Sequence, residues 1–310
     1  MESAFVIVSA RTMRKLLLIA NPNAGRGSPD HRRQAIERFV ELLKQRNVDV
    51  VTRLTTGPND ATRIAREAAQ SGWQDVIASG GDGTINEVLQ GLIGSTTRLS
   101  IWPRGTANVV ARELKLPSQL DRLADVIAAE NFRRVHVGCA TAEGHHQGRY
   151  FLLMAGVGAD AAVVERVRPF LKKRIGEAAF WYSGIETLMK WKPPSFVVEV
   201  DRRRYTATFA AIGKAPHYGG NLAVTPRARM DEPDFEVCLI HSTERLRYIR
   251  HLSWVAFGGI PQDTKDVTFL RTTTVHISGE RVQAQVDGEL IGFVPMTFTI
   301  APHTIELISV

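Results

Sequence analysis

Cysteine is almost missing from this chain: Cys139 and Cys238 are the only two in 310 residues. They are too few and too isolated for a disulfide framework or a zinc site, so a reducing cytoplasm is the expected setting. No apolar run approaches the roughly 18 residues that a membrane span requires. The opening MESAFVIVSARTMRK has a short apolar stretch with no basic segment before it, unlike a secretory signal. Residues 1–12 read as an extension outside the fold, ahead of a first strand that follows Met13. Two common nucleotide fingerprints are missing as well. Neither G-x-G-x-x-G nor G-x4-G-K-S/T occurs, which excludes an ordinary dinucleotide site and a P-loop. There is no internal repeat and no low-complexity segment.

What remains is the composition of a globular protein, 44% hydrophobic and 23% charged, with enough chain for one large domain or two ordinary ones. Lys and Arg outnumber Asp and Glu by 39 to 32, a formal +7. The basic residues are scattered, and no RNA-binding signature or zinc-finger spacing accompanies them, so no nucleic-acid partner is expected.

Strand-like and helical patterns alternate from Lys15 to about Arg134. KLLLIANP precedes a helix over HRRQAIERFVELLKQR, with Ile36, Phe39, Val40 and Leu43 on one face. VDVVTRLTT precedes DATRIAREAAQ, DVIASGG precedes a third helix, and LSIWP precedes a helix from Asn108 to Lys115. SQLDRLADVIAAE closes the series. Such alternation predicts a parallel sheet covered on both faces, with ligands at the carboxyl ends of its strands. After Phe132 the text becomes strand-rich: RVHVGCATAEG, RYFLLMAGVG, a hairpin from FVVEV through Asp201–Arg204 to YTATFAAIG, then LAVTP, FEVCLI, TTTVHIS, RVQAQVDGEL, MTFTI and TIELISV. A long helical stretch from about Ala159 to Lys192 interrupts them. The predicted fold class is therefore α/β. An N-terminal parallel-sheet nucleotide-binding domain spans residues 13–135, with 301–310 returning to it, and a C-terminal antiparallel β-rich sandwich spans 136–300.

Four loops fall at strand ends of the first domain: Asn21–Gly27, Thr55–Gly57, Gly80–Thr84 and Pro103–Asn108. Gly80-Gly81-Asp82-Gly83 lets backbone approach a ligand closely and leads into a helix N-terminus that favours an anion. A second reading takes Thr84 and Glu87 as a capping box behind an ordinary tight turn. Four such loops along one sheet edge favour an anionic ligand.

GGDGTINEVLQGL, with NPNAGRG upstream, PRGTANVVARELKLP downstream and VDGEL far along the chain, resembles the diacylglycerol kinase catalytic family. That group includes bacterial diacylglycerol and related lipid kinases, and is related to the sphingosine and ceramide kinases. The resemblance covers nearly the whole chain from about Lys15. It implies ATP and Mg²⁺ in a cleft between the two domains, and a lipid acceptor. Gly80, Gly81, Asp82, Gly83 and Thr84, with Gly105, Thr106 and Asn108, match the loops that hold nucleotide phosphates and ribose. Asn21, Gly25 and Thr56 match further nucleotide contacts. Asp287 and Glu289 match the positions of general base and catalytic partner in bacterial members, whereas sphingosine kinases give that role to the aspartate of the glycine loop, here Asp82. Read from the residues alone, Asp287-Gly288 between apolar strands is also a strong two-residue hairpin signal.

Asp160 matches the acidic residue that sphingosine kinases place near the lipid head group, and is equally a helix-start residue. Asp231, Asp234 and Glu236 fall where bacterial members place a structural Mg²⁺, with Pro233 in place of the expected glycine. His145, His146 and His217 read as loop histidines. The stretch Val163–Trp191 mixes basic residues with Phe170, Phe180, Trp181 and Trp191. It reads either as a peripheral membrane contact or as core aromatics beneath a solvated face. The expectation is a cytoplasmic lipid kinase that visits the inner face of the membrane, with a homodimer possible. An NAD kinase-like small-molecule kinase and a binding protein without catalysis are the alternatives.

Overall fold

The computed structural model describes residues 14–158, 194–217, 223–244, 247 and 265–310. Asp160 and the stretch Val163–Trp191 lie outside the described residues.

The N-terminal half follows the alternation in its sequence. Strands β1 (Arg14–Ala20), β2 (Val48–Leu54), β3 (Asp75–Gly80) and β4 (Arg98–Pro103) are parallel, in the order β2-β1-β3-β4. Leu16 to Ala20 of β1 and all six residues of β3 are buried, as strands covered on both faces should be. Helix α1 (Pro29–Lys44) begins at Ser28, whose side chain accepts from the His31 N–H, and turns Ile36, Phe39, Leu42 and Leu43 inward. Val40 from the expected stripe is only partly buried, packed against that cluster. Together with α5 (Leu120–Ala128), α1 covers one face of the sheet. Helices α2 (Asp60–Gln70), α3 (Asp82–Leu92) and the short α4 (Val109–Glu113) cover the other.

The parallel sheet continues into the rest of the molecule. β16 (Met296–Ile308) lies beside β4, with Leu307 opposite Leu99 in parallel register, and pairs antiparallel with β5 (Phe132–Ala142) along most of its length. The expected strands MTFTI and TIELISV are thus one 13-residue strand, with a register shift between Ile300 and Thr304. β13 (Thr274–Ser278), β8 (Phe196–Val200) and β9 (Arg203–Ala207) extend the sheet beyond β16, and β6 (Arg149–Phe151) pairs with β5, for ten strands in all. A second, antiparallel sheet of six strands has the order β12-β11-β10-β7-β14-β15, comprising Val267–Thr272, Phe235–Ile240, Phe209–Gly213, Met154–Gly158, Gln283–Val286 and Glu289–Phe293. The antiparallel half of the first sheet and this second sheet enclose Val198, Val237, Leu239, Ile277, Phe298 and their neighbours, a sandwich core.

The strands differ from expectation in four places. RYFLLMAGVG divides at Leu152–Leu153 into β6 and β7, which belong to different sheets. The hairpin at Asp201–Arg202, both residues at positive φ as its type of turn requires, joins β8 and β9. The chain then changes sheets at Thr208, so FAAIG belongs to β10. VTFLRT, not anticipated, is edge strand β12. In LAVTP, the described residues from Ala223 onward form only an isolated bridge with His217 and a turn.

Candidate active site at the carboxyl edge of the parallel sheet

The order β2-β1-β3-β4 places β2 on one side of β1 and β3 on the other. The connections leaving β1 and β3 therefore diverge, and the crevice between their carboxyl ends is where open α/β sheets bind ligands. The loops after β1 and β3 flank it, with those after β2 and β4 on either side. Asn21 ties the first pair together: its N–H donates to the Ser79 carbonyl at 2.9 Å, and its Nδ2 lies 3.4 Å from Thr84 Oγ1. Gly25 and Gly27 in the same loop have φ of +102° and +91°, conformations that favour glycine.

Helix α3 begins at Asp82, two residues before the Thr84 of the expected capping box. Its N-cap is Gly81, and no side chain caps it. Apart from the Asp82 N–H, which faces its own carboxylate, the first-turn N–H groups have no side-chain acceptor at the cap, as an anion site at a helix start requires. Gly81 packs against Gly105 so tightly that a Cβ on Gly105 would come within 2.6 Å of Gly81 Cα. Asn108 closes the second loop on itself, accepting from the Gly105 N–H at 2.7 Å and donating to the Gly105 carbonyl at 2.9 Å. The Asp82 carboxylate points to this loop and accepts from the Val110 N–H at 3.3 Å. Burial raises its pKa, opposed by the backbone N–H groups of Val110, Val109, Asp82 itself and Asn108. Thr56 is occupied locally: its N–H and hydroxyl both donate to Asp60 Oδ2.

Arg104, a residue not singled out from sequence, lies at the centre of these loops. It is only 9% exposed, and its guanidinium lies 4.8 Å from the Trp102 ring and beneath Gly25, where a Cβ would be 3.0 Å from Nη2. Nη2 donates to the Arg32 carbonyl, while the buried Nη1 has no hydrogen-bond partner. Among the described residues no carboxylate pairs with it. Burial, then the nearby charge of Arg32, lowers its pKa. A buried cation beside a second cation, with one donor unsatisfied, is a costly arrangement that an anion would relieve. The signal in the sequence was a basic residue within a glycine loop.

Asp287 and Glu289 arrive from the second sheet. Asp287 (φ +46°) and Gly288 (φ +80°) form the two-residue turn between β14 and β15. The hairpin reading is therefore right about the backbone, and the side chain does more. Asp287 Oδ1 accepts from the N–H groups of Leu153 and Met154 at 2.9 and 3.1 Å, and Oδ2 from the Leu152 N–H and Asn86 Nδ2 at 2.9 and 3.0 Å. Burial raises the Asp287 pKa against these four donors. Asn86 belongs to α3, so the carboxylate joins the glycine-loop helix to the point where β6 ends and β7 begins. Gln90 of the same helix adds a two-way pairing with the backbone N–H and carbonyl of Tyr150. Glu289 Oε1 lies where a Cβ on Gly83 would be 3.1 Å away, and its Oε2 accepts from Arg149 at 2.8 Å. Asp82, Asp287 and Glu289 thus gather around the first turns of α3.

The expected metal residues are not gathered. Asp234 is held by Arg271 at 2.6 and 2.8 Å, Glu236 by the Arg227 side chain and N–H at 2.7 and 2.6 Å, and Asp231 lies 3.4 Å from Arg229. Among the described residues no group of three or more His, Cys, Asp and Glu could hold a metal. Each carboxylate has its own arginine, so the donor set does not fit a structural Mg²⁺. Of the loop histidines, His145 is in the turn after β5, and His217 pairs through Nδ1 with Glu113 at the end of α4.

Residues 15–140 match the family described as the diacylglycerol kinase catalytic domain, and residues 154–309 the one described as the YegS C-terminal NAD kinase beta sandwich-like domain. A diacylglycerol kinase of Bacillus subtilis is 28% identical over 293 residues, covering 92% of this chain and 93% of that protein. One of Mycobacterium tuberculosis is 25% identical over 297 residues, covering 95% and 94%. A crystal structure of a diacylglycerol kinase from Bacillus anthracis strain Sterne superposes with a TM-score of 0.74 at 21% identity, over 97% of this chain and 98% of that one. Glycine loops at a switch point, joined by a hairpin carboxylate from a β sandwich, fit what these matches state directly: the chain belongs to the diacylglycerol kinase catalytic-domain family.

Proposed function

We propose that this protein is an ATP- and Mg²⁺-dependent lipid kinase that transfers the γ-phosphoryl group to a hydroxyl of a lipid such as diacylglycerol. The observation that carries the reading is the approach of Glu289 to Gly83, which brings carboxylates of the sandwich to the turn that would hold phosphate. The names of the relatives support a lipid acceptor. The crevice between the Asn21–Gly27 and Gly80–Thr84 loops supports a nucleotide, with Gly105, Thr106 and Asn108 on its flank. Arg104, which no carboxylate pairs among the described residues and whose Nη1 lacks a partner there, supplies a cation that a phosphate would complete. When bound, Mg²⁺ neutralises charge developing on the phosphate oxygens. It usually takes only one or two protein carboxylates, and Asp82 and Glu289 border the loop.

In the proposed step the lipid hydroxyl oxygen bonds to the γ-phosphorus as the bond to ADP breaks, and the hydroxyl proton passes to the Asp287/Glu289 pair. Asp287 can take that proton only by releasing one of its four donors. A lipid acceptor would be met at a membrane surface; no helix among the described residues is long and apolar enough to cross a membrane. Titration calorimetry with ATP and Mg²⁺ tests the nucleotide half. Arg104→Met should bind ATP about 10- to 100-fold more weakly, the usual range for losing a hydrogen bond to a charged group. Equal affinity in the variant would place the phosphates elsewhere.

A further inference from the structure

The turn Arg229–Asp234 already contains a cation, and it belongs to the chain. Lys214 follows β10 and is fully buried. Its Nζ donates to the carbonyl oxygens of Arg229 at 3.0 Å, Asp234 at 3.0 Å, and Glu232. An ammonium has three N–H donors and no acceptor, so three carbonyls satisfy it completely. The side chains of Asp231, Glu232 and Asp234 surround the turn with negative charge. Arg271, bound to Glu232 and Asp234, and Arg229, beside Asp231, offset part of it. His136 also faces the group, with its N–H on the Met230 carbonyl.

We propose that the Lys214 ammonium is the built-in cation of this turn and takes the place that a bound divalent metal would fill, so the turn is held together without one. A hard divalent cation binds through just such converging oxygens, mixing carbonyls with carboxylates. Here the carbonyls are committed to Nζ at ordinary N–H···O lengths. Magnesium–oxygen bonds are near 2.1 Å and calcium–oxygen bonds near 2.5 Å, so either ion would have to displace the lysine. Burial pushes the Lys214 ammonium down to about 8, with Asp234, Asp231 and Glu232 pulling it up and Arg271 pushing it further down. Nζ faces three carbonyl acceptors, the environment that the three donors of a charged ammonium satisfy. Held this way, the turn anchors its neighbours: the Lys214 N–H donates to the Leu153 carbonyl, and the Leu153 N–H donates to Asp287.

The test compares thermal unfolding of the full chain and of Lys214→Met and Lys214→Ala, each in chelator, Mg²⁺ or Ca²⁺, with elemental analysis of the dialysed protein. The wild type should carry no stoichiometric divalent metal and keep its Tm in chelator. Lys214→Met, which fills the space without charge, should unfold several degrees lower and ignore both ions. Lys214→Ala should also unfold lower, but recover saturably with one of the ions, because the vacated carbonyls and nearby carboxylates then accept it. A stoichiometric metal in the wild type, or a Tm that drops in chelator, would overturn the proposal even if neither variant folds. An unchanged Tm in Lys214→Met, or a destabilised Lys214→Ala indifferent to both ions, would overturn it as well.

Discussion

Asp287 and Glu289 stand two residues apart and meet different surroundings, which separates what their substitution should do. Asp287 accepts three backbone N–H groups and the Asn86 amide. Replacing one carboxylate oxygen by an NH₂ group sets donor against donor, at about 2 kcal/mol for buried groups left unsatisfied. Asp287→Asn should therefore lose turnover and also lower the calorimetric Tm by roughly 5 °C. Glu289 holds Arg149 through one oxygen at a partly exposed position, and such pairs contribute little stability. Glu289→Gln should keep its Tm within about 2 °C while turnover falls. Equal Tm in the two variants would show that Asp287 does not hold the junction as described.

At the scale of elements, the tightest fit in the site is between two turns. A Cβ on Gly105 would meet Gly81 Cα at 2.6 Å, whereas one on Gly81 meets nothing nearer than Gly105 Cα at 3.4 Å. Gly105→Ala must push the loops after β3 and β4 apart. Nucleotide affinity by calorimetry should fall at least tenfold, on the order of 1.4 kcal/mol, and more than for Gly81→Ala. The reverse ranking would mean that the loops do not hold the nucleotide as a pair. The parallel half was legible because its helices carry a clear stripe and its strands are continuous apolar runs: DATRIAREAAQ coincides with α2. The break in RYFLLMAGVG was not. Its cause is a carboxylate 135 residues away, which draws the Leu152 and Leu153 N–H groups out of the strand pattern. The glycine loops, Asp82, Asp287 and Glu289 of the candidate site were visible as motifs. Arg104, Asn86 and Lys214 were not, because burial and spatial partners, which local patterns do not encode, give them their roles.

Across the whole molecule the parallel sheet divides its work between its two edges. The carboxyl edge holds the loops of the candidate site, including Arg104, which no carboxylate pairs among the described residues. At the amino edge Asp75, 1% exposed, is gripped by Arg98 at 2.6 and 2.7 Å and by Arg14 at 2.9 Å, tying β3 to β4 and β1. Burial raises the Asp75 pKa, but hydrogen bonds from Arg98 and Arg14 outweigh it and leave it below the ordinary value of 3.8. The unfolded chain binds this proton more readily than the folded one, so stability rises with pH across that interval. The contribution is present above about pH 4 and is lost as pH falls through the folded pKa. Asp75→Asn should cost on the order of 3 kcal/mol at pH 7, leaving two arginines poorly paired. Denaturant melts should show that difference shrinking below pH 4. A difference independent of pH would assign the cost to packing.

The central claim is that glycine loops and sandwich carboxylates form one phosphoryl-transfer site for a lipid hydroxyl. The most direct measurement incubates the full chain with γ-labelled ATP and Mg²⁺, offers mixed vesicles containing diacylglycerol beside other lipid alcohols and NAD in solution, and separates the products. Label should appear in a lipid, and should disappear with Asp287→Asn and with Glu289→Gln. Label found in NAD and in no lipid, or in a lipid with both variants at the wild-type rate, would contradict the account.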